Sequence, residues 1–116
     1  MLEKSNRLRK RKEFGYIYKH GESRYSKFIK LYFISSYQKK VKVGISVNNK
    51  VGKAVKRNRI KRQLRAILRE ILPNLKQKMN YIFVAKEGIC DLSFEEIKKE
   101  VFVCLEKAKC FEKIDN

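Results

Sequence analysis

Between Glu22 and Glu70 the chain contains no acidic residue. Those 47 positions hold 15 of its 30 lysines and arginines. An ordinary solvated surface mixes signs, so a one-sign field of this length opposes compaction and calls for a polyanionic partner. Other shortages narrow the class further. The longest apolar runs, such as Tyr81–Ala85, are far too short to span a bilayer. The basic start MLEKSNRLRKRKEF lacks the apolar segment of a signal peptide. A soluble, cytoplasmic protein with no membrane partner is expected. Cysteines are few: Cys90, Cys104 and Cys110, with no C-x-x-C pair. An odd number without metal-ligand spacing suggests neither a disulfide framework nor a zinc site, and plain thiols in a reducing compartment are expected. The one histidine, His20, precedes Gly21 at the end of a predicted helix, where a helix-end or surface role explains it better than catalysis. There is no glycine-rich phosphate loop. With no acid, base or nucleophile gathered near the basic stretch, covalent chemistry by the chain alone is disfavoured.

What is present fits a globular RNA-binding domain. The 116 residues are 43% hydrophobic, enough for one domain with a modest core. The net charge of +18 is carried by the N-terminal two thirds; from Glu70 onward nine acids face eight bases. Residues 1–9 are polar and basic and are expected to form a mobile arm. A short helix is predicted from Lys10 to Lys19, with Phe14, Ile17 and Tyr18 on one face and Gly21 as its C′ residue. Phe28–Ser35 reads as a strand, with Ile29, Leu31 and Phe33 on one side and Phe28, Lys30 and Tyr32 on the other. Val41–Val47 is a second, half-buried strand, expected to pair with the first as a hairpin. A helix is predicted from Gly52 or Lys53 to Leu72, limited by Pro73. Its residues Ile60, Leu64, Ile67, Leu68 and Ile71 share one side; Asn58, Arg62, Arg65 and Arg69 share the opposite side. Val51 and Val55 fall off that apolar stripe, so either the first turn packs elsewhere or it is not regular helix. Asn80–Lys86 is a third strand, parallel to Val41–Val47 because a helix connects them. Ser93 and Glu96 have capping-box spacing at the start of a last helix that runs to about Lys109.

The basic stretch Lys50–Arg69 contains nine cations, Lys53, Lys56 and Arg69 among them. Such residues neutralise phosphates and release counterions. Aromatics stack on unpaired bases, and Phe14, Tyr18, Phe28 and Tyr32 are the candidates; the alternative for all four is a place in the core. Composition alone fits a ribosomal or other structural RNA-binding protein. A DNA-binding architectural protein is less favoured, because aromatics beside cations suit single strands.

The order of several motifs resembles one family. Asn6-Arg7-Leu8, Phe14-Gly-Tyr-Ile-Tyr18-Lys-His-Gly21, Val43-Gly-Ile-Ser-Val47, Val51-Gly-Lys-Ala-Val55 and Arg57-Asn-Arg-Ile-Lys-Arg62 follow one another as in the bacterial ribonuclease P protein component. That resemblance implies a single-domain α+β fold: a compact two-layer sandwich with one mixed sheet of about four strands, three helices, and a left-handed crossover around the basic helix. It implies the protein subunit of a ribonucleoprotein that removes the 5′ leader of precursor tRNA. The catalyst is then the RNA, with magnesium held mainly by that RNA and no catalytic residue or metal site on the chain. By match, Arg57, Asn58, Arg59, Lys61, Arg62 and Arg65 bind the catalytic RNA subunit. Phe14, Tyr18 and Tyr32, with Lys30 beside them, line a cleft for the single-stranded leader. Tyr18 stands where many members carry Phe, a change that keeps the stacking surface. No obligate protein partner is implied.

Overall fold

The computed structural model describes residues 4–38 and 40–111. Its strands are Glu22–Tyr25 (β1), Ile29–Ser35 (β2), Lys42–Val47 (β3) and Met79–Ala85 (β4). They form one mixed sheet in the order β1-β2-β4-β3. The last strand in sequence is thus internal. In β4 the consecutive residues Tyr81, Ile82 and Phe83 are all fully buried. Neighbouring residues of a strand point to opposite faces, so β4 is covered on both. It runs antiparallel to β2, from Ile29↔Ala85 to Ser35↔Met79, and parallel to β3, from Lys42↔Asn80 to Val47↔Ala85. The parallel pairing agrees with expectation. The β2–β3 hairpin does not form, because β4 lies between the two strands. A strand apolar on both faces takes the centre, and β3, with Lys42 and Ser46 half-exposed, takes the edge.

That edge is partly closed by the N-terminal segment. Arg7 pairs with Val43 in a parallel bridge, and the Leu8 amide donates to the Val43 carbonyl at 3.0 Å. The Asn6 side-chain amide donates to the Val41 carbonyl at 2.8 Å, and Leu8 is buried. Residues 4–9 are therefore packed against the sheet rather than forming an arm; residues 1–3 lie outside the described residues.

The larger core lies on one face of the sheet. There the helices Ala54–Ile71 (α2) and Phe94–Ala108 (α3) cover Ile29, Leu31, Phe33, Tyr81 and Phe83. The predicted stripe Ile60, Leu64, Ile67, Leu68 and Ile71 is buried throughout. Each such side chain contributes roughly 1.5–3 kcal/mol on burial. The off-stripe valines separate. Val51 sits in a 3₁₀ turn, Asn49–Val51, and enters this core, whereas Val55 lies in the first turn of α2 and is 80% exposed. Helix α2 gives way at Ile71 to a 3₁₀ turn, Leu72–Asn74, that contains Pro73. At the start of α3 the Ser93 hydroxyl accepts from the Glu96 amide and the Glu96 carboxylate accepts from the Ser93 amide, the expected reciprocal cap. Those hydrogen bonds hold the Glu96 pKa below its usual value.

A smaller cluster occupies the other face. Leu8, Ile17 and Ile82 are buried there, with Phe14, Tyr32, Ile34 and Val84 packed around them. Helix α1, Arg11–His20, covers this cluster. It ends at Gly21 as expected, but in extended backbone rather than a left-handed turn. The need for glycine is steric: a Cβ at Gly21 would lie 2.7 Å from the Ile17 carbonyl oxygen and 2.8 Å from that of Phe33.

Candidate nucleic-acid interface

On α2, burial of the apolar stripe turns the cationic side chains outward. Lys53, Lys56, Asn58, Arg59, Arg62 and Arg69 are exposed; Arg57, Lys61 and Arg65 are half-buried. Two arginines are held by backbone carbonyls of flanking turns. Arg57 donates to Gly52 at 3.0 Å, and Arg59 donates to Cys90 at 2.6 Å. Carbonyl partners fix direction without cancelling charge, so both guanidiniums keep their positive field. Arg62, Arg65 and Arg69 flank Ala66 around a depression of about 320 Å3. Among the described residues, no cation of α2 is paired with an acid. The one acid of α2, Glu70, is engaged by Lys98 of α3 at 2.9 Å.

The aromatic candidates assemble on the opposite face of the sheet, with one exception. The Phe14 ring lies over Gly44 of β3, where a Cβ would come within 2.6 Å of the Phe14 ring. Phe14 and Tyr18 have ring centroids 6.3 Å apart, and Tyr18 meets Tyr32 edge-on at 4.8 Å. The Lys30 ammonium stands 4.9 Å from the Tyr32 ring centroid. Tyr18 remains 40% exposed, so the group is an open surface and not a sealed core. An aromatic flanked by a cation offers a base a stacking plane and its phosphate a counter-charge. Phe28 does not join this group. It precedes β2, packs against the larger core, and its ring occupies the space beside Gly88. Its amide donates to the Glu100 carboxylate, which also accepts from the Ser26 hydroxyl at 2.8 Å. That tether to α3 breaks the alternation on which its placement beside Lys30 rested.

Other contributors were not singled out from the sequence. Gly44 is the seat of Phe14; a glycine inside a strand pattern was the available signal for close approach. Tyr25 of β1 pairs with Lys30 in register and is 62% exposed, with the ammonium groups of Lys86 and Lys107 5.4 and 5.9 Å from its ring centroid. Only the strand pairing brings it there.

A mixed sheet with a strongly cationic helix on one face, its single acid Glu70 engaged by Lys98, and an open aromatic surface on the other defines an RNA-binding class of protein. Comparison with known proteins makes the class specific. The family model described as Ribonuclease P matches residues 2–109. A ribonuclease P protein component from Syntrophomonas wolfei is 37% identical over 111 residues, covering 96% of this chain and 93% of the relative. One from Bacillus pumilus is 39% identical over 101 residues, covering 86% and 85%. Among solved structures, the RNase P protein from Staphylococcus aureus superimposes with a TM-score of 0.84 at 31% identity, covering 99% of each chain. The chain belongs to the ribonuclease P protein family. Ribonuclease P is an endoribonuclease of tRNA processing that acts as a ribonucleoprotein, so the chain has an RNA partner.

Proposed function

We propose that the two surfaces divide the work between two RNAs. The outward face of α2 (Lys53, Lys56, Arg57, Asn58, Arg59, Lys61, Arg62, Arg65 and Arg69) binds the catalytic RNA subunit. The surface of Phe14, Tyr18, Tyr32 and Lys30 binds the single-stranded 5′ leader of precursor tRNA. The observation that carries this reading is their location on opposite faces of one sheet, which lets two strands be held without competing. In this reading the protein contributes binding and orientation. Leader contacts add affinity for the precursor that the mature tRNA lacks, and the loss of the leader on cleavage favours release of product. Magnesium belongs to the RNA in this scheme. Among the described residues no group of three His, Cys, Asp or Glu side chains is placed to hold a metal ion. The cytoplasm suits both the substrate and the free thiols of Cys90, Cys104 and Cys110.

The test is a double dissociation. Arg62→Ala with Arg65→Ala should weaken binding of the RNA subunit and reduce its salt dependence by roughly 0.7–0.9 log units per lost phosphate contact. Tyr18→Ala or Tyr32→Ala should weaken precursor tRNA binding by roughly 1–3 kcal/mol and leave mature tRNA unaffected. Equal losses for both tRNAs would remove the leader assignment.

A further inference from the structure

Helix α1 has two flanks, and the aromatic surface uses only one. On the other flank lies a cavity of about 470 Å3, lined by Tyr16 and Lys12 of α1, Ile34 and Tyr37 after it in sequence, and Asn80 of β4. Tyr16 is 59% exposed and Tyr37 fully exposed. Tyr16 also lies against the His20 ring, 4.6 Å between centroids, and both tyrosines leave ring surface open for stacking. The Asn80 Oδ1 is buried yet accepts no hydrogen bond. A buried amide oxygen without a donor is destabilising until a donor reaches it.

Beside this cavity is a second one, of about 230 Å3, lined by the cations Lys4, Arg7, Arg9, Lys10 and Lys42. Its single acid is Glu13, which pairs with Lys42 at 3.7 Å. Glu13 lines both cavities, and Lys42 is the register partner of Asn80, so the two are contiguous. An aromatic pocket joined to a cationic one has the chemistry to receive a nucleotide of a single strand: rings for a base to stack on and cations to neutralise its phosphates.

We infer that this flank of α1 is a second single-stranded RNA site, with a base between Tyr16 and Tyr37 and the adjoining phosphates at the Lys4–Lys42 pocket. The site is separate from the Tyr18–Tyr32 surface and from α2, and stands independently of the roles assigned to those. Its strand is either a further part of the precursor or an unpaired segment of the catalytic RNA.

The experiment uses the full chain and three probes: precursor tRNA, mature tRNA and the RNA subunit. Binding is measured for Tyr16→Ala combined with Tyr37→Ala, and separately for Arg9→Ala combined with Lys10→Ala. The tyrosine pair should weaken at least one complex by about 5- to 150-fold per lost stacked base. The cation pair should weaken the same complex and lower its salt slope by about 0.7 per single-strand phosphate contact. Tyr16→Phe with Tyr37→Phe keeps both rings and should retain affinity. A loss confined to precursor tRNA assigns the strand to substrate, and a loss confined to the RNA subunit assigns it to the catalytic RNA. All of these positions are solvent-facing, so an unchanged melting temperature separates lost contact from lost fold. Unchanged affinity for all three probes overturns the site.

Discussion

The two faces of the sheet use their apolar residues in opposite ways. On the α2–α3 face every large apolar residue of the α2 stripe is buried, and the cations of that helix, to which the proposed function assigns RNA binding, point away from the core. On the α1 face the fully buried set is small, Leu8, Ile17 and Ile82, while Phe14, Tyr18 and Tyr32 stay partly open. The first face separates stability from function by giving them opposite sides of one helix. The second combines them, since the same rings complete a core and present a stacking plane. Substitutions should therefore divide cleanly on the first face and mix their effects on the second.

The largest expected effect tests the first half of that statement. Leu64 is fully buried beneath α2. Leu64→Ala should lower unfolding free energy by about 2–5 kcal/mol, from lost transfer energy and the cavity left behind. Under conditions where the variant is still folded, its RNA affinity should be near that of the parent chain. Denaturant unfolding and RNA-subunit binding measure the two quantities, and a parallel loss of affinity in the folded variant would show that α2 does not separate them.

Gly44→Ala tests the second half. The added Cβ would sit 2.6 Å from the Phe14 ring, and the Leu8 side chain is 3.3 Å away. Overpacking of this kind costs about 1–3 kcal/mol. Relief requires the Phe14 ring to move from its seat on the sheet, so stability and precursor binding should fall together. A stability loss with precursor binding intact would mean that Phe14 is core alone.

How far these faces were legible from the sequence follows the same division. Helix α2 announces itself through period and charge, and its apolar stripe appears in the structure without exception. The capping box at Ser93 is equally local and equally well read. What failed was non-local. Nothing in Phe28–Val47 says that a strand from beyond α2 will separate β2 from β3, although the unbroken apolar run Tyr81–Ala85 was a signal for the central position. Strand β1, Glu22–Tyr25, is largely exposed and carries no alternation to betray it. Phe28 was assigned by a period of two that ends at Ile29, where the Glu100 carboxylate captures its amide. Leu8 lay in a segment whose composition resembles a tail, and only its pairing with Val43 makes it core.

The smallest effect concerns the valines that broke the helical stripe. Val51 and Val55 are four residues apart and would share a face in a continuous helix. The chain does not run through them as one helix. The 3₁₀ turn ends at Val51, and α2 begins at Ala54, so the first valine rotates into the core and the second points to solvent. Val51→Ala should cost about 2 kcal/mol, two methylene equivalents with a partial cavity term. Val55→Ala should change stability by less than about 0.5 kcal/mol, because an exposed site loses no packing and alanine is the better helix former. Thermal or denaturant unfolding of the pair decides it. Equal costs at both positions would mean that the helix starts earlier than Ala54 and that both valines are covered, which would draw the cationic face of α2 closer to the core than its separation of roles allows.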